Sequence, residues 1–93
     1  LFVKRVIGMP GETIEIKDGW VYINGEMLDD TEFINPDYRK GMGNNFGPYA
    51  IPEEHYFVLG DHRNNSNDSR FVGALPIDMM LGIMTENLYE SLR

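Results

Sequence analysis

A mainly β domain is what this sequence predicts, and three features point to it. Ile14 and Ile16 alternate with Glu15 and Lys17, the two-residue period of a half-buried strand. Two turn dipeptides, Asp18-Gly19 and Asn24-Gly25, fold the stretch from Thr13 to Leu28 into a meander. Asp, Asn and Gly tolerate the positive φ that a tight hairpin needs at both central positions. A separate apolar run, Tyr56-Phe57-Val58-Leu59, stops at Gly60 and reads as a buried strand.

The remaining elements follow in chain order. Phe2 to Ile7 is apolar except at Lys4-Arg5 and reads as a first strand, ended by the punctuation Gly8-Met9-Pro10-Gly11. The meander supplies three short strands, the second being Trp20-Val21-Tyr22-Ile23 and the third Glu26-Met27-Leu28. Asp29 to Ala50 changes character, with Asn35-Pro36-Asp37 and the Gly/Asn-rich run from Gly41 to Pro48. It is expected to be a long excursion with little regular structure, an inserted flap or small subdomain. Asp61 to Arg70 is polar throughout and reads as loop. Pro76 to Met80 fits one helical turn with Pro at its first position. Leu81 to Met84 is expected to return to the sheet, and Glu86 to Arg93 to form a short terminal helix. Neither internal repeats nor low-complexity tracts occur.

Ninety-three residues, 42% hydrophobic and 25% charged, suit one folded domain over residues 1–93 rather than a disordered chain. The chain opens on Leu1-Phe2-Val3 instead of Met, an apolar run with the look of a strand interior. A segment of a longer protein is therefore expected, although a trimmed or processed chain would read the same. The net charge of −7 argues against nucleic acid, whose phosphates demand clustered Lys and Arg. It also disfavours binding to anionic lipid by electrostatics alone. The absence of Cys removes disulfides, thiolate metal sites and Cys nucleophiles. No stretch approaches the ~20 apolar residues of a membrane span, and no signal-peptide pattern is present.

Two segments could carry chemistry. In the first, Lys4-Arg5 interrupts an apolar strand, and alternation sends the two side chains to opposite faces. A lysine held against apolar surroundings loses its preference for the charged form and can accept a proton, so Lys4 is a candidate general base. Alternatively, Lys4 snorkels from an edge strand as a solvated gatekeeper. The second is Gly60 to Arg70, eleven residues with donors and acceptors at nearly every position. Asp68 could pair with Arg70 and Asp61 with Arg63; Ser66 and Ser69 could orient neighbours or act as nucleophiles. A solvated surface loop is the plainer alternative. Calcium does not fit this loop, because Arg63, Ser66 and Val72 fill the third, sixth and twelfth places of an EF-hand frame. The Asn64-Asn65-Ser66 and Asn67-Asp68-Ser69 triplets match a glycosylation pattern that arises easily by chance in an Asn-rich loop. His55 and His62 lack metal-ligand spacing, and no local signature supports a triad of Ser66, His62 and Asp61. No metal or cofactor is expected.

Together the segments resemble the two motifs of bacterial type I signal peptidases. Lys4-Arg5-Val6-Ile7-Gly8-Met9-Pro10-Gly11-Glu12 is similar to the family pattern K-R-V-I-G-L-P-G-D. Gly60-Asp61-His62-Arg63-Asn64-Asn65-Ser66-Asn67-Asp68-Ser69-Arg70 is similar to G-D-N-R-x-x-S-x-D-S-R. The order is the family's, and the likeness covers Phe2 to Arg70. It implies a mainly β domain with an inserted subdomain, for which residues 29–50 are the candidate. It also implies a membrane-anchored serine endopeptidase using a Ser-Lys dyad on the extracytoplasmic side of the cytoplasmic membrane. Such enzymes cut signal peptides from secreted preproteins after small residues at −1 and −3. On this chain, the resemblance makes Lys4 the base and Ser66 the hydroxyl that orients it. It makes Asp68 and Arg70 the pair that stiffens the loop, with Asp61 and Arg63 in support. Phe2 and Val3 fall where the family pairs an extended substrate by β-augmentation.

Three positions depart from the family pattern: Met9, Glu12 and His62 stand for Leu, Asp and Asn. The resemblance also puts the serine nucleophile, in a Ser-Met motif, and most of the oxyanion hole upstream of the lysine strand. The 93-residue chain alone is accordingly expected to be inactive. Two other functions compete. A catalytically silent relative could serve as a peptide-binding or assembly module. A self-cleaving repressor would share Ser-Lys chemistry, but leaves the motif from Gly60 to Arg70 without a purpose.

Overall fold

A computed structural model describes residues 2–41, 44–64, 66–78 and 87–91. Strands dominate: β1 (Phe2–Gly8), β2 (Thr13–Lys17), β3 (Trp20–Ile23), β4 (Glu26–Met27), β5 (Phe46–Ala50), β6 (His55–Leu59), β7 (Leu75–Pro76) and β8 (Asn87–Ser91). The expected β class holds. Both hairpin turns of the meander form as their dipeptides dictate, with φ of 51° and 83° at Asp18 and Gly19 and of 51° and 85° at Asn24 and Gly25. Ile14 then faces Ile23 and Ile16 faces Val21, which puts the apolar members of both strands on one face.

The strands form two sheets, in the orders β7-β6-β1-β8 and β4-β3-β2-β5. They share one core. Ile7, Phe57 and Leu59 from the first meet Ile14, Ile16, Val21 and Ile23 from the second, with Ile51 between them. A smaller cluster, Val6 and Val58 with Met9, Tyr56 and Leu75 against it, fills the other face of the first sheet. β1 and β6 are antiparallel neighbours with Arg5 opposite Leu59, so the chain leaving β6 at Gly60 emerges beside Lys4.

Several expectations are corrected. The excursion from Asp29 is shorter than 29–50, because Phe46–Ala50 is β5 and pairs with β2. What precedes β5 contains a 3-10 turn, Pro36–Arg39, capped by the Asn35 side chain. The loop after Gly60 ends early: Ser69–Val72 is one helical turn, α1, started by the Asp68 cap. Leu75–Pro76 pairs with the edge of β6, a position where Pro loses no needed donor, so Pro76 closes a strand before residues 77–78 turn helical. Among the described residues the terminal helix is not there. Asn87–Ser91 is β8, parallel to β1, because so short a segment gains little from its own helical hydrogen bonds and more from a sheet edge. Leu81 to Met84 lies outside the described residues.

Candidate active site

Lys4 sits in β1 on the Val6 face, half-buried, and its Nζ donates to Oγ of Ser66 at 3.1 Å across 62 residues of sequence. This bond joins the two segments singled out in the sequence. Gly60 lies beneath the contact. A Cβ built on it would stand 2.8 Å from Cβ of Ser66 and 3.5 Å from Nζ of Lys4, so any side chain there would wedge the pair apart. The peptide groups of Gly60 are held on both sides. Its N–H donates to Oδ2 of Asp68 at 3.0 Å, and its carbonyl accepts from Nε of Arg63 at 2.8 Å.

Three ion-pair groups surround this glycine. Asp68 and Arg70 pair as expected, with Nε at 2.9 Å from Oδ1 and Nη2 at 2.8 Å from Oδ2, both side chains buried. Asp68 also accepts from the N–H of Arg70 at the start of α1, so one carboxylate caps the helix, neutralises a guanidinium and holds Gly60. Asp61 and Arg63 do not pair their side chains with each other. Asp61 takes Nε of Arg5, reaching over from β1, at 2.9 and 3.1 Å. Arg63 turns inward to Oδ2 of Asp30 at 3.0 Å, and Arg39 fills the other oxygen of Asp30 at 2.7 Å. Unlike Asp68 and Arg70, each of these two meets a partner brought up from elsewhere, Arg5 by β1 and Asp30 by the excursion.

Charge and burial set how these groups titrate. Burial pushes against the Asp68 carboxylate. The Arg70 guanidinium, the N–H of Gly60 and the N–H of Arg70 together outweigh it, so its pKa lies below the ordinary aspartate range. Burial lowers the pKa of Arg63; Asp30 opposes that shift and neighbouring Arg70 adds to it.

The described structure brings Lys4, Asp61, Arg63, Ser66, Asp68 and Arg70 around Gly60. Phe2 and Val3 lie in β1, opposite Asn87 and Leu88 of β8, so one edge of the strand at those residues is already paired. Ser69 takes no part: it is buried, and its Oγ accepts from the N–H of Val58. His62 stacks on Tyr38 of the excursion, ring centroids 3.9 Å apart, without entering the polar frame. Glu12 accepts from the N–H of Met9 at 2.7 Å, closing the turn after β1. Asp30 and Arg39 carry no motif. The sequence signals nothing about them beyond a carboxylate just after the meander and an arginine beside a turn Pro. Among the described residues no group of His, Cys, Asp and Glu is arranged to hold a metal.

Comparison with known proteins places the chain in a family. Residues 1–89 match the family model described as signal peptidase, peptidase S26. The chain is 42% identical over 81 residues to a probable signal peptidase I-2 of Synechocystis, covering 87% of this chain and 35% of that protein. It is 44% identical over 82 residues to signal peptidase I of Leptolyngbya laminosa, covering 87% and 37%. The chain thus spans little more than a third of these relatives' length. A crystal structure of a signal peptidase I from Enterococcus faecalis superposes with a TM-score of 0.56 at 33% identity, covering 78% of this chain and 73% of that one.

Proposed function

This chain belongs to the signal peptidase family, peptidase S26, and we propose that it supplies the base half of a Ser-Lys dyad that removes signal peptides from secreted preproteins. The observation that supports this reading is the hydrogen bond between Lys4 and Ser66. Acting as base, the uncharged amine of Lys4 takes the hydroxyl proton of a nucleophilic serine as that serine attacks the scissile carbonyl. Ser66 is the orienting hydroxyl. It holds Nζ in place through an uncharged hydroxyl, while Asp61 pairs with Arg5 and Asp68 with Arg70. Asp61, Arg63, Asp68 and Arg70 hold the loop.

The family places the nucleophile ahead of the lysine strand, and Ser66 and Ser69 have other roles here. The 93-residue polypeptide by itself is therefore proposed to lack peptidase activity. The enzyme that carries it acts at the outer face of the cytoplasmic membrane, anchored by a segment other than these residues. No helix among the described residues is long and apolar enough to cross a membrane. Substrate pairs in extended form beside Phe2 and Val3, which requires the edge of β1 away from β8 or the displacement of β8.

The test is peptidase activity on a signal-peptide substrate with the protein expressed in its full genomic reading frame. Lys4→Met, close in length but without the amine, abolishes turnover and leaves the fold intact. Ser66→Ala lowers kcat by about 10- to 100-fold, less than loss of the base. Near-normal turnover by Lys4→Met would make Lys4 a snorkelling edge residue and sink the reading.

A further inference from the structure

Asp30 lies outside both motifs, yet it is 0% exposed, and each of its oxygens meets a buried arginine. Taking a carboxylate out of water costs several kcal/mol unless partners compensate. Asp30 has them in Arg39 at 2.7 Å and Arg63 at 3.0 Å. We propose that Asp30 is a positioning residue for the Lys4–Ser66 pair, acting through Arg63 and the carbonyl of Gly60. The inference rests on the reading of Lys4 as base.

The route is short and each step has a geometric reason. A guanidinium is a rigid planar fork, so fixing one nitrogen aims the others. Nη1 of Arg63 is fixed on Asp30, and Nε of the same fork then points at the Gly60 carbonyl, 2.8 Å away. Gly60 is the residue over which Nζ of Lys4 and Oγ of Ser66 meet. Its N–H is held from the other side by Asp68. Loss of Asp30 loosens one of the two restraints on that residue, the one on its carbonyl. The segment around Asp30 acts as a brace. Three consecutive loop residues dock on it or on the turn that follows it: His62 stacks on Tyr38, Arg63 pairs with Asp30, and Asn64 donates to the carbonyl of Asp37.

Arg39 provides the contrast. It shares Asp30, donates to the carbonyl of Gly19 at 3.0 Å and stacks over Trp20 at 3.7 Å, so it reaches Gly60 only through Asp30, on the oxygen that Arg63 does not use. Removing it breaks a buried ion pair of the same kind while leaving Asp30 and Arg63 together.

The experiment measures kcat and KM on a signal-peptide substrate for Asp30→Asn, Arg63→Lys, Arg39→Gln and Lys4→Met. Each is expressed in the full reading frame and assayed at a temperature where circular dichroism shows it folded. Asp30→Asn is expected to lower kcat by about 10- to 100-fold, the scale of a small misplacement of reacting groups. KM should stay within about twofold, because the substrate's ground-state contacts are untouched. Arg63→Lys keeps a cation for Asp30 but loses the fork, so it loses kcat in the same way and stands in if Asp30→Asn does not fold. Arg39→Gln loses stability but keeps kcat within about twofold. Equal kcat losses in Asp30→Asn and Arg39→Gln would reduce Asp30 to a structural role and overturn the proposal. So would wild-type kcat in Asp30→Asn and Arg63→Lys alongside a dead Lys4→Met. An active Lys4→Met would instead remove the reading on which the proposal rests.

Discussion

Replacing Gly60 with Ala isolates the geometry of the Lys4–Ser66 contact in a single carbon. The new Cβ would lie 2.8 Å from Cβ of Ser66, with Oγ of Ser66 nearer still. Those two carbons must part by about 0.6 Å to reach ordinary van der Waals contact, which begins at 3.4 Å. Gly60 cannot easily yield, since its N–H is tied to Asp68 and its carbonyl to Arg63. Its φ lies outside the left-handed region, so alanine brings crowding and no backbone strain of its own. Ser66 must move instead, and its 3.1 Å bond to Lys4 is broken or lengthened past useful range. Overpacking of this kind costs about 1–3 kcal/mol of stability, and displacement of a group that orients a base costs about 10- to 100-fold in kcat. Both are measurable in the full reading frame, the first by thermal melting and the second by initial rates on a signal-peptide substrate. A double-mutant cycle sharpens the test. In a Ser66→Ala background the nearest clashing atom is gone, so Gly60→Ala should cost clearly less there. Strictly additive losses, or full kcat in Gly60→Ala alone, would refute the idea that Gly60 is small in order to let Ser66 reach Lys4.

Two further outcomes are expected. The folded Asp68 carboxyl titrates below its unfolded value of about 3.9. Its stabilising contribution is therefore complete above the unfolded pKa and lost as pH falls through the lower folded one. Melting temperatures of wild type and Asp68→Asn should differ by a constant amount from pH 5 to 7, the variant losing about 3–5 kcal/mol through the unpaired Arg70, and should converge below about pH 4; a gap that widens in acid would contradict the lowered pKa. The purified 93-residue polypeptide should not cleave a signal-peptide substrate, and robust turnover lost in Ser66→Ala or Ser69→Ala would show that the nucleophile lies within it.

What the sequence discloses about this fold is local chemistry. Asp18-Gly19 and Asn24-Gly25 can only be tight turns, and the strands between them follow from period and length. Phe46 to Ala50 hid as a strand because Gly47 and Pro48 sit in it, yet β2 supplies a partner that propensity does not count. Asn87 to Ser91 was expected within a short helix, and pairing with β1 makes it a strand instead. The same division holds at the site. Lys4, Ser66, Asp68 and Arg70 were legible because they form motifs whose spacing repeats across a family. Asp61 and Arg63 were legible as members but not as partners. Asp30 was invisible, one carboxylate among 15 acidic residues, since its meaning lies in two arginines that reach it only after folding.

That division bears on what the buried charges are for. Ion pairs taken out of water return little net stability, and apolar residues of equal volume often serve a fold as well or better. Around Gly60, however, two of them terminate on opposite sides of a single residue, Asp68 on its N–H and Arg63 on its carbonyl. An apolar core could fill that space but could not fix the orientation of a peptide group, because dispersion has no direction. Hydrogen bonds from charged groups do. The arrangement trades stability for the placement of one small residue, and that residue sits where a lysine from β1 and a serine from a loop must come within hydrogen-bond reach. Substitutions in the frame should accordingly separate into two kinds. Those on the route to Gly60, at Asp30, Arg63 and Asp68, change turnover; those off it, such as Arg39, change melting alone.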